Sequence, residues 1–268
     1  MSERNPLVVI FGCGPSGLLA AHACSIYGIQ PIIFSLKQKS ILGGAQYSHI
    51  PIPILNDEEP EVLIQYEAKG TPEEYRSKVY GDLVIPFVSF PEEGRVAPAW
   101  NLRAIYEKLW EQWGDQVIDV NQIDGRLAQR FNASPVFDLI FNTIPLTVIC
   151  QSTVTGDVHH TFRSQTVRIY NEAIDTNLAD NTIRYDGTSE HSYYRMSRIF
   201  GVGSTEWSVG SPVPPLQGLR TVSKPIGTDC DCYPNILRIG RFGTWKKGIL
   251  TSHAFNAVLD TLHERGYA

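Results

Sequence analysis

Apolar residues near the start of the chain form two short, almost unbroken runs. Residues 7–11 (LVVIF) are apolar and largely β-branched, as in a strand covered on both faces of a parallel sheet, and residues 29–34 read the same way. Between them, residues 15–27 favour helix, with the small side chains of Gly17, Ala20, Ala21 and Cys24 on one face and Gly28 placed as a C-terminal stop. The pattern predicts a βαβ unit with a right-handed crossover.

Further on the periodicity changes. Residues 41–90 are rich in Gly, Pro and acidic residues, which predicts loops and short strands. Residues 101–113 place Leu102, Ile105, Leu109, Trp110 and Trp113 at helical spacing, an amphipathic surface helix. Residues 137–148 (FDLIFNTIPLTV) read as an apolar strand broken at Pro145. Short alternating runs at 161–170, 181–185 and 192–199 fit an antiparallel sheet with one wet face. A last short strand is expected at 236–239, and a helix at 248–266 on Leu250, Ala254, Ala257, Val258 and Leu262. The fold class is therefore α/β: a Rossmann-like nucleotide domain with a parallel sheet (1–50, 98–150 and 234–268) and an inserted, mostly antiparallel β substrate-binding region (51–97 and 151–233).

Composition narrows the picture without redirecting it. The 268 residues are 43% hydrophobic and 19% charged, enough for a large packed core. The net charge of -5 and the absence of any basic block longer than Lys246-Lys247 argue against a general nucleic-acid binder. The five cysteines (Cys13, Cys24, Cys150, Cys230, Cys232) contain no two-residue-spaced pair, so neither a disulfide framework nor a zinc site is indicated, and a reducing cytoplasm is expected. The adjacent His159-His160 would point to opposite faces of a strand, a poor metal site, and Cys230-x-Cys232 is likewise left without a role; no metal is expected. The short polar start and the glycine-broken apolar run predict neither signal peptide nor membrane span.

The chemistry begins at GCGPSG, residues 12–17. Gly12 allows a tight turn, Gly14 removes the Cβ that would block a pyrophosphate, and Gly17 lets the helix lie close to the strand. The helix start at Pro15 and Ser16 supplies amide donors and partial positive charge to phosphates. The position at the end of the second strand that would hold the adenosine ribose with a carboxylate is Ser35, which offers one hydroxyl instead. Lys37 and Lys39 could hold a ribose 2'-phosphate, so this turn alone leaves FAD and NADP both open.

Three other segments resemble the FAD-dependent superfamily that includes amine oxidases and UDP-galactopyranose mutases. One is Gly43-Gly44 followed by Ala45 and Gln46 in ILGGAQYSH. Another is the strand ending in Thr143-x-Pro145. The third is residues 236–259, where Gly240 and Arg241 precede Gly248, Ile249, Leu250 and a helix. The resemblance implies FAD, with the last helix directed at the flavin pyrimidine and Lys246 or Arg241 offsetting the negative charge of the reduced ring. It also implies hydride transfer from a carbon–nitrogen or carbon–hydrogen bond, with His49, Tyr194, Arg195 and Lys246 as candidate catalytic groups. Tyr47, Tyr193 and Arg198 are the candidate substrate contacts. The expected partner is a small-molecule or modified-base substrate. So compact a flavoenzyme would suit a small genome such as a bacteriophage's, acting as an oxidative lyase on an adducted base in the host cytoplasm. Two alternatives stay open: a redox-neutral, mutase-like enzyme with Arg195 and Arg198 on the phosphates of a nucleotide-sugar, and a dinucleotide-binding protein without catalysis.

Overall fold

The structure, a computed structural model, describes residues 5–36, 39, 46–56, 59–156 and 160–267. Lys37, Gly43, Gly44, Ala45 and His159 lie outside the described residues. In chain order the elements are β1 (Val8–Phe11), α1 (Pro15–Ile26), β2 (Ile32–Ser35), β3 (Tyr47–Ser48), β4 (Val62–Lys69), α2 (Pro72–Tyr80), β5 (Val96–Asn101) and α3 (Leu102–Trp113). They continue as β6 (Val117–Asp119), α4 (Gly125–Asn132), β7 (Leu139–Asn142), α5 (Leu146–Ile149), α6 (Ser152–Thr155), β8 (Phe162–Tyr170) and β9 (Thr182–Asp186). Last come β10 (Arg195–Ile199), β11 (Val202–Ser208), β12 (Arg220–Thr228), β13 (Leu237–Arg238), α7 (Gly240–Thr244) and α8 (Thr251–Glu264). The chain divides into two compact units, one of Met1–Ile41, Tyr106–Arg163 and Gly227–Ala268, the other of Leu42–Ile105 and Ser164–Ile226. The chain passes between them at 41/42, 105/106, 163/164 and 226/227, the last three of these inside α3, β8 and β12.

The first unit is built on a parallel sheet of order β13-β7-β1-β2-β6. All four residues of β1 are fully buried, because both faces are covered. On one side α1 lies beneath α8, with the rings of His22 and Phe255 stacked at 6.1 Å, and residues Gly17 to Cys24 of α1 are all buried. On the other, Phe131 of α4 packs edge-on against Phe11 and Phe34 at 5.1 and 5.5 Å and stacks on Phe137 at 4.8 Å. Hence the apolar run has no polar face. Because β2 flanks β1 on one side and β7 on the other, the carboxyl ends of β1 and β7 bound a topological switch point, where α/β sheets place their ligands.

The second unit carries an eight-stranded sheet of order β12-β8-β11-β10-β9-β4-β5-β3. The neighbours β8/β11, β11/β10, β10/β9, β4/β5 and β5/β3 are antiparallel and β4/β9 is parallel. The expectation of loops and short strands over 41–90 is corrected here. β4 runs eight residues, and α2 follows it with Pro72 in its first turn and a complete capping box: the Thr71 hydroxyl accepts from Glu74 N at 3.2 Å, while the Glu74 carboxylate accepts from Thr71 N at 2.7 Å. The helix buries only Tyr75 and Val79, too few apolar positions to register as periodicity. Thr71→Ala should lower stability by about 1 kcal/mol, read as a lower urea midpoint at unchanged slope; Thr71→Ser should recover most of it. The strand expected over 137–148 and broken at Pro145 runs from Leu139 to Asn142, and after Pro145 the chain turns into α5. No described helix is long and apolar enough to cross a membrane.

Candidate functional site

The glycine turn sits at the switch point of the first unit. Gly12 N donates to the Phe34 carbonyl at 2.8 Å, extending the ladder between β1 and β2 before the chain turns with Gly12 at φ +101°. A Cβ there would lie 2.5 Å from Thr143 Oγ1, so glycine is required by space as well as by φ. A Cβ on Gly17 would lie 2.0 Å from the carbonyl oxygen of Gly12, the closest possible approach of helix to strand. Gly14, in extended conformation at φ -69° and ψ 177°, caps α1, and Pro15 occupies the first turn, where no amide hydrogen is needed. From β7 the Thr143 hydroxyl donates to the Phe11 carbonyl at 2.7 Å and its amide to the same oxygen at 3.0 Å, pinning the Thr-x-Pro turn against the glycine turn.

Ser35 closes β2, nearly buried, and its hydroxyl accepts from the Cys13 thiol at 3.1 Å. The Cys13 carbonyl in turn accepts from the buried Tyr106 hydroxyl at 3.0 Å. Sequence reasoning passed over Cys13 and Tyr106, since no motif marks either. Lys39 is exposed and paired with Glu107.

The closing segment also reaches the turn. Gly240, at φ +69°, would place a Cβ 2.7 Å from Ser16 Oγ, and a Cβ on Gly243 would meet the Asn142 carbonyl oxygen at 2.2 Å. Thus α7, unforeseen from two glycines in five residues, lies against both the first turn of α1 and the end of β7. Arg241 is half-buried within it. Lys246, the candidate cation, is exposed, whereas Lys247 is half-buried: burial and then the Arg241 charge bring its amine down to about 8. Gly248 has φ +85°, Ile249 is half-buried and Leu250 is the exposed residue that caps α8.

The remaining candidates belong to the second unit. His49 Nδ1 lies 2.8 Å from the Pro98 carbonyl and therefore donates to it; Nε2, 3.1 Å from the Tyr66 hydroxyl, accepts. Tyr66 and Tyr47 share a hydroxyl contact at 3.3 Å, and the His49 ring meets Tyr47 edge-on at 4.8 Å. Arg195 stands over the Tyr185 ring at 5.7 Å, and Tyr185 stacks on Tyr66 at 6.3 Å. Gln46 is buried and its amide is used within the unit, Nε2 donating to the Val202 carbonyl at 2.7 Å and Oε1 accepting from Ser197 Oγ at 2.9 Å.

Tyr193 and Tyr194 precede β10 and point into different cores, Tyr193 beside Met196 and Trp207, Tyr194 beside Tyr75 and Val167. The Tyr194 hydroxyl donates to Glu206 at 2.6 Å, and Glu206 also pairs with Arg195 at 3.4 Å and with Lys224. Burial pushes the Glu206 carboxyl up, but the charges of Lys224 and Arg195 prevail and hold it at about 2. Tyr194, expected as a catalytic group, is thereby bound into an internal ion network. Arg198, half-buried, donates to the Thr176 carbonyl at 3.3 Å.

The two sheets define an α/β fold in which a Rossmann-type parallel unit is combined with one built on a larger, mostly antiparallel sheet. Among solved structures this is the fold of reduced UDP-galactopyranose mutase, with TM-score 0.58, 14% identity, and 98% of this chain and 96% of that chain covered. It is also that of an HpxO variant from Klebsiella pneumoniae complexed with FAD (TM-score 0.54, 12% identity, 98% and 84% covered). A third is 2,6-dihydroxypyridine-3-hydroxylase from Arthrobacter nicotinovorans (TM-score 0.53, 11% identity, 99% and 87% covered). At these identities the likeness is one of fold. No protein-family model matches the chain, and no curated protein is a detectable relative of it.

Proposed function

We propose that this chain is an FAD-dependent oxidoreductase. The observation that carries the reading is the switch point of the parallel sheet: Gly12 and Gly17 leave no room for a Cβ, α1 opens there with Gly14 at its cap, and Thr143 and Gly240 converge on the same turn. That cradle fits a pyrophosphate on backbone amides and the helix start. The fold shared with an FAD complex supports FAD over NADP. Ser35 would give the ribose one hydroxyl contact, and Arg241 and Lys247 would supply positive charge near the closing helix.

FAD when bound accepts a hydride from a carbon–hydrogen bond, including one beside nitrogen. What the chain's own residues add is orientation and proton handling. His49, Tyr66 and Tyr47 form a hydrogen-bonded relay able to accept a proton at His49 Nε2, and the neighbouring rings of Tyr47, Tyr66 and Tyr185 suit a planar substrate, a description that a modified base or a small aromatic acid would meet. The redox-neutral, mutase-like reading fares less well. Arg195 and Arg198 are three positions apart on β10 and so face opposite sides of the sheet, and Arg195 is committed to Glu206; they do not make one phosphate clamp.

The test is spectroscopic. Purified protein should be yellow, its released cofactor should co-elute with FAD, and a substrate of the right class should bleach it under nitrogen. Gly14→Leu should fold yet lose the colour, because the added side chain occupies the pyrophosphate approach. Protein that stays colourless after incubation with FAD would end this reading, and full colour in Gly14→Leu would move the pyrophosphate elsewhere.

A further inference from the structure

The first unit gathers four soft-donor side chains that no local motif joins. Cys150 caps the end of α5, His160 precedes β8, and Cys230 and Cys232 lie in the loop between β12 and β13. Their donor atoms all fall within 4.8 Å of one another. Cys150 Sγ is 3.7 Å from Cys230 Sγ and 3.9 Å from Cys232 Sγ, and Cys232 Sγ is 3.2 Å from His160 Nε2. We propose that Cys150, His160, Cys230 and Cys232 are the ligands of a structural zinc ion.

Three of the six donor–donor distances, 3.7 and 3.9 Å between sulfurs and 3.2 Å from sulfur to nitrogen, lie near the edges of a zinc tetrahedron. Zinc–sulfur bonds of about 2.3 Å and a zinc–nitrogen bond of about 2.0 Å require edges of about 3.8 Å between sulfurs and about 3.5 Å from sulfur to nitrogen. A disulfide would need two sulfurs at about 2.05 Å and would leave the third thiol over. The cysteines are buried and the His160 side chain is 17% exposed, so the site is closed by four protein ligands and leaves no place for substrate, the mark of a structural site.

The surroundings fit the ion as well. His160 Nδ1, the ring nitrogen away from the sulfurs, faces the Asp229 carboxylate at 3.8 Å, the kind of outer contact that orients a ligating imidazole. The Arg238 guanidinium donates to the carbonyls of both Cys230 and Cys232, fixing their loop. Three thiolates, one neutral imidazole and Zn2+ sum to one negative charge, which Arg238 offsets. Ile149, Phe162, Tyr233, Ile236 and Trp245 supply an apolar shell. Binding displaces the three thiol protons and moves no electrons. The ion would tie the segment after β7 to the loop before β13, bracing the sheet edge beside the Thr143 turn.

Untagged protein purified without chelator should contain one zinc per chain by mass spectrometry of its metals. X-ray absorption at the zinc edge should give three sulfurs at about 2.3 Å and one nitrogen at about 2.0 Å. Cys150→Ser and Cys232→Ser should each lower zinc content at least tenfold, while Cys24→Ala, buried in α1, should leave it unchanged. Should those serine variants fail to fold, the wild-type protein decides: a thiol-blocking mercurial should release one zinc per chain, and the thermal midpoint should fall when the metal is removed and return with zinc alone. The proposal is overturned by protein that holds no zinc and whose midpoint added zinc leaves unmoved. A different metal in the site, an oxygen-rich zinc shell, a disulfide among Cys150, Cys230 and Cys232, or full zinc content in the serine variants overturns it equally.

Discussion

Gly17→Val should abolish the folded first unit and with it any bound flavin. The Cβ of any residue at 17 would stand 2.0 Å from the Gly12 carbonyl oxygen, and both partners are main chain: one belongs to a helix buried between β1 and α8, the other to the end of the central strand. No side chain is available to swing aside, so α1 must lift from the sheet and open the core around Leu18 and Leu19. The expected cost exceeds about 4 kcal/mol, a large part of the roughly 5–15 kcal/mol that holds a domain together. The matched control is Gly210→Ala, whose Cβ would have nothing within 4 Å, and which should change stability by no more than about 0.5 kcal/mol. Soluble yield and a circular-dichroism melt decide the matter; a Gly17→Val protein melting within a few degrees of wild type would show that the helix can move after all.

Removing the Glu206 carboxylate should be the most damaging single change in the second unit. Glu206 is 2% exposed and holds Arg195, Lys224 and the Tyr194 hydroxyl together; without it two cations lose their buried counter-charge. Glu206→Gln, which keeps the shape, should cost about 3–5 kcal/mol. The pH dependence has a definite sign. The carboxyl is held at about 2 in the folded chain against an ordinary 4.5, so its contribution is complete above pH 4.5 and is lost as the pH falls toward 2, amounting to about 3 kcal/mol. Urea midpoints measured between pH 6 and pH 2 should therefore fall steeply in the wild type and less steeply in Glu206→Gln. The triple variant Glu206→Leu, Arg195→Met, Lys224→Met should regain much of the loss at neutral pH, because the cost lies in stranding charges more than in missing their attraction. Equal acid slopes in wild type and Glu206→Gln would remove Glu206 from this role.

What could be read from the sequence and what could not divide along a physical line. The unit from β1 to β2 was legible because a run of four wholly buried residues, three glycines at fixed spacing and a helix start all lie within thirty residues and constrain one another. The strands β8, β9 and β10 were legible from alternation. In α2 the cap was spelled out as Thr71-Pro72-Glu73-Glu74, yet a helix that buries two side chains leaves almost no apolar period to detect. The short α7 defied propensity because Gly240 and Gly243 are there for close backbone approach, a reason that exists only once β7 and α1 are in place. Lys246 and Lys247 differ by one position, which decides exposure but leaves no trace in composition. The histidine and the Cys230-x-Cys232 pair were set aside as isolated neighbours and Cys150 stood alone, since spacing rules compare neighbours and Cys150 and the other cysteines come from segments some eighty positions apart.

The first unit is assembled from three stretches widely separated in sequence, and this has a consequence for synthesis. The outer side of α1 is covered by α8, which begins at Thr251, and β7 gains its second neighbour only with β13. On a ribosome adding roughly 5–20 residues per second, α1 would emerge on the order of ten seconds or more before its cover exists. Through that interval the buried residues of α1 stand bare on the nascent chain, and the glycine turn cannot set until α7 and α8 have been made. Folding of this unit thus waits on the synthesis of α7 and α8, which follow α1 by more than two hundred residues.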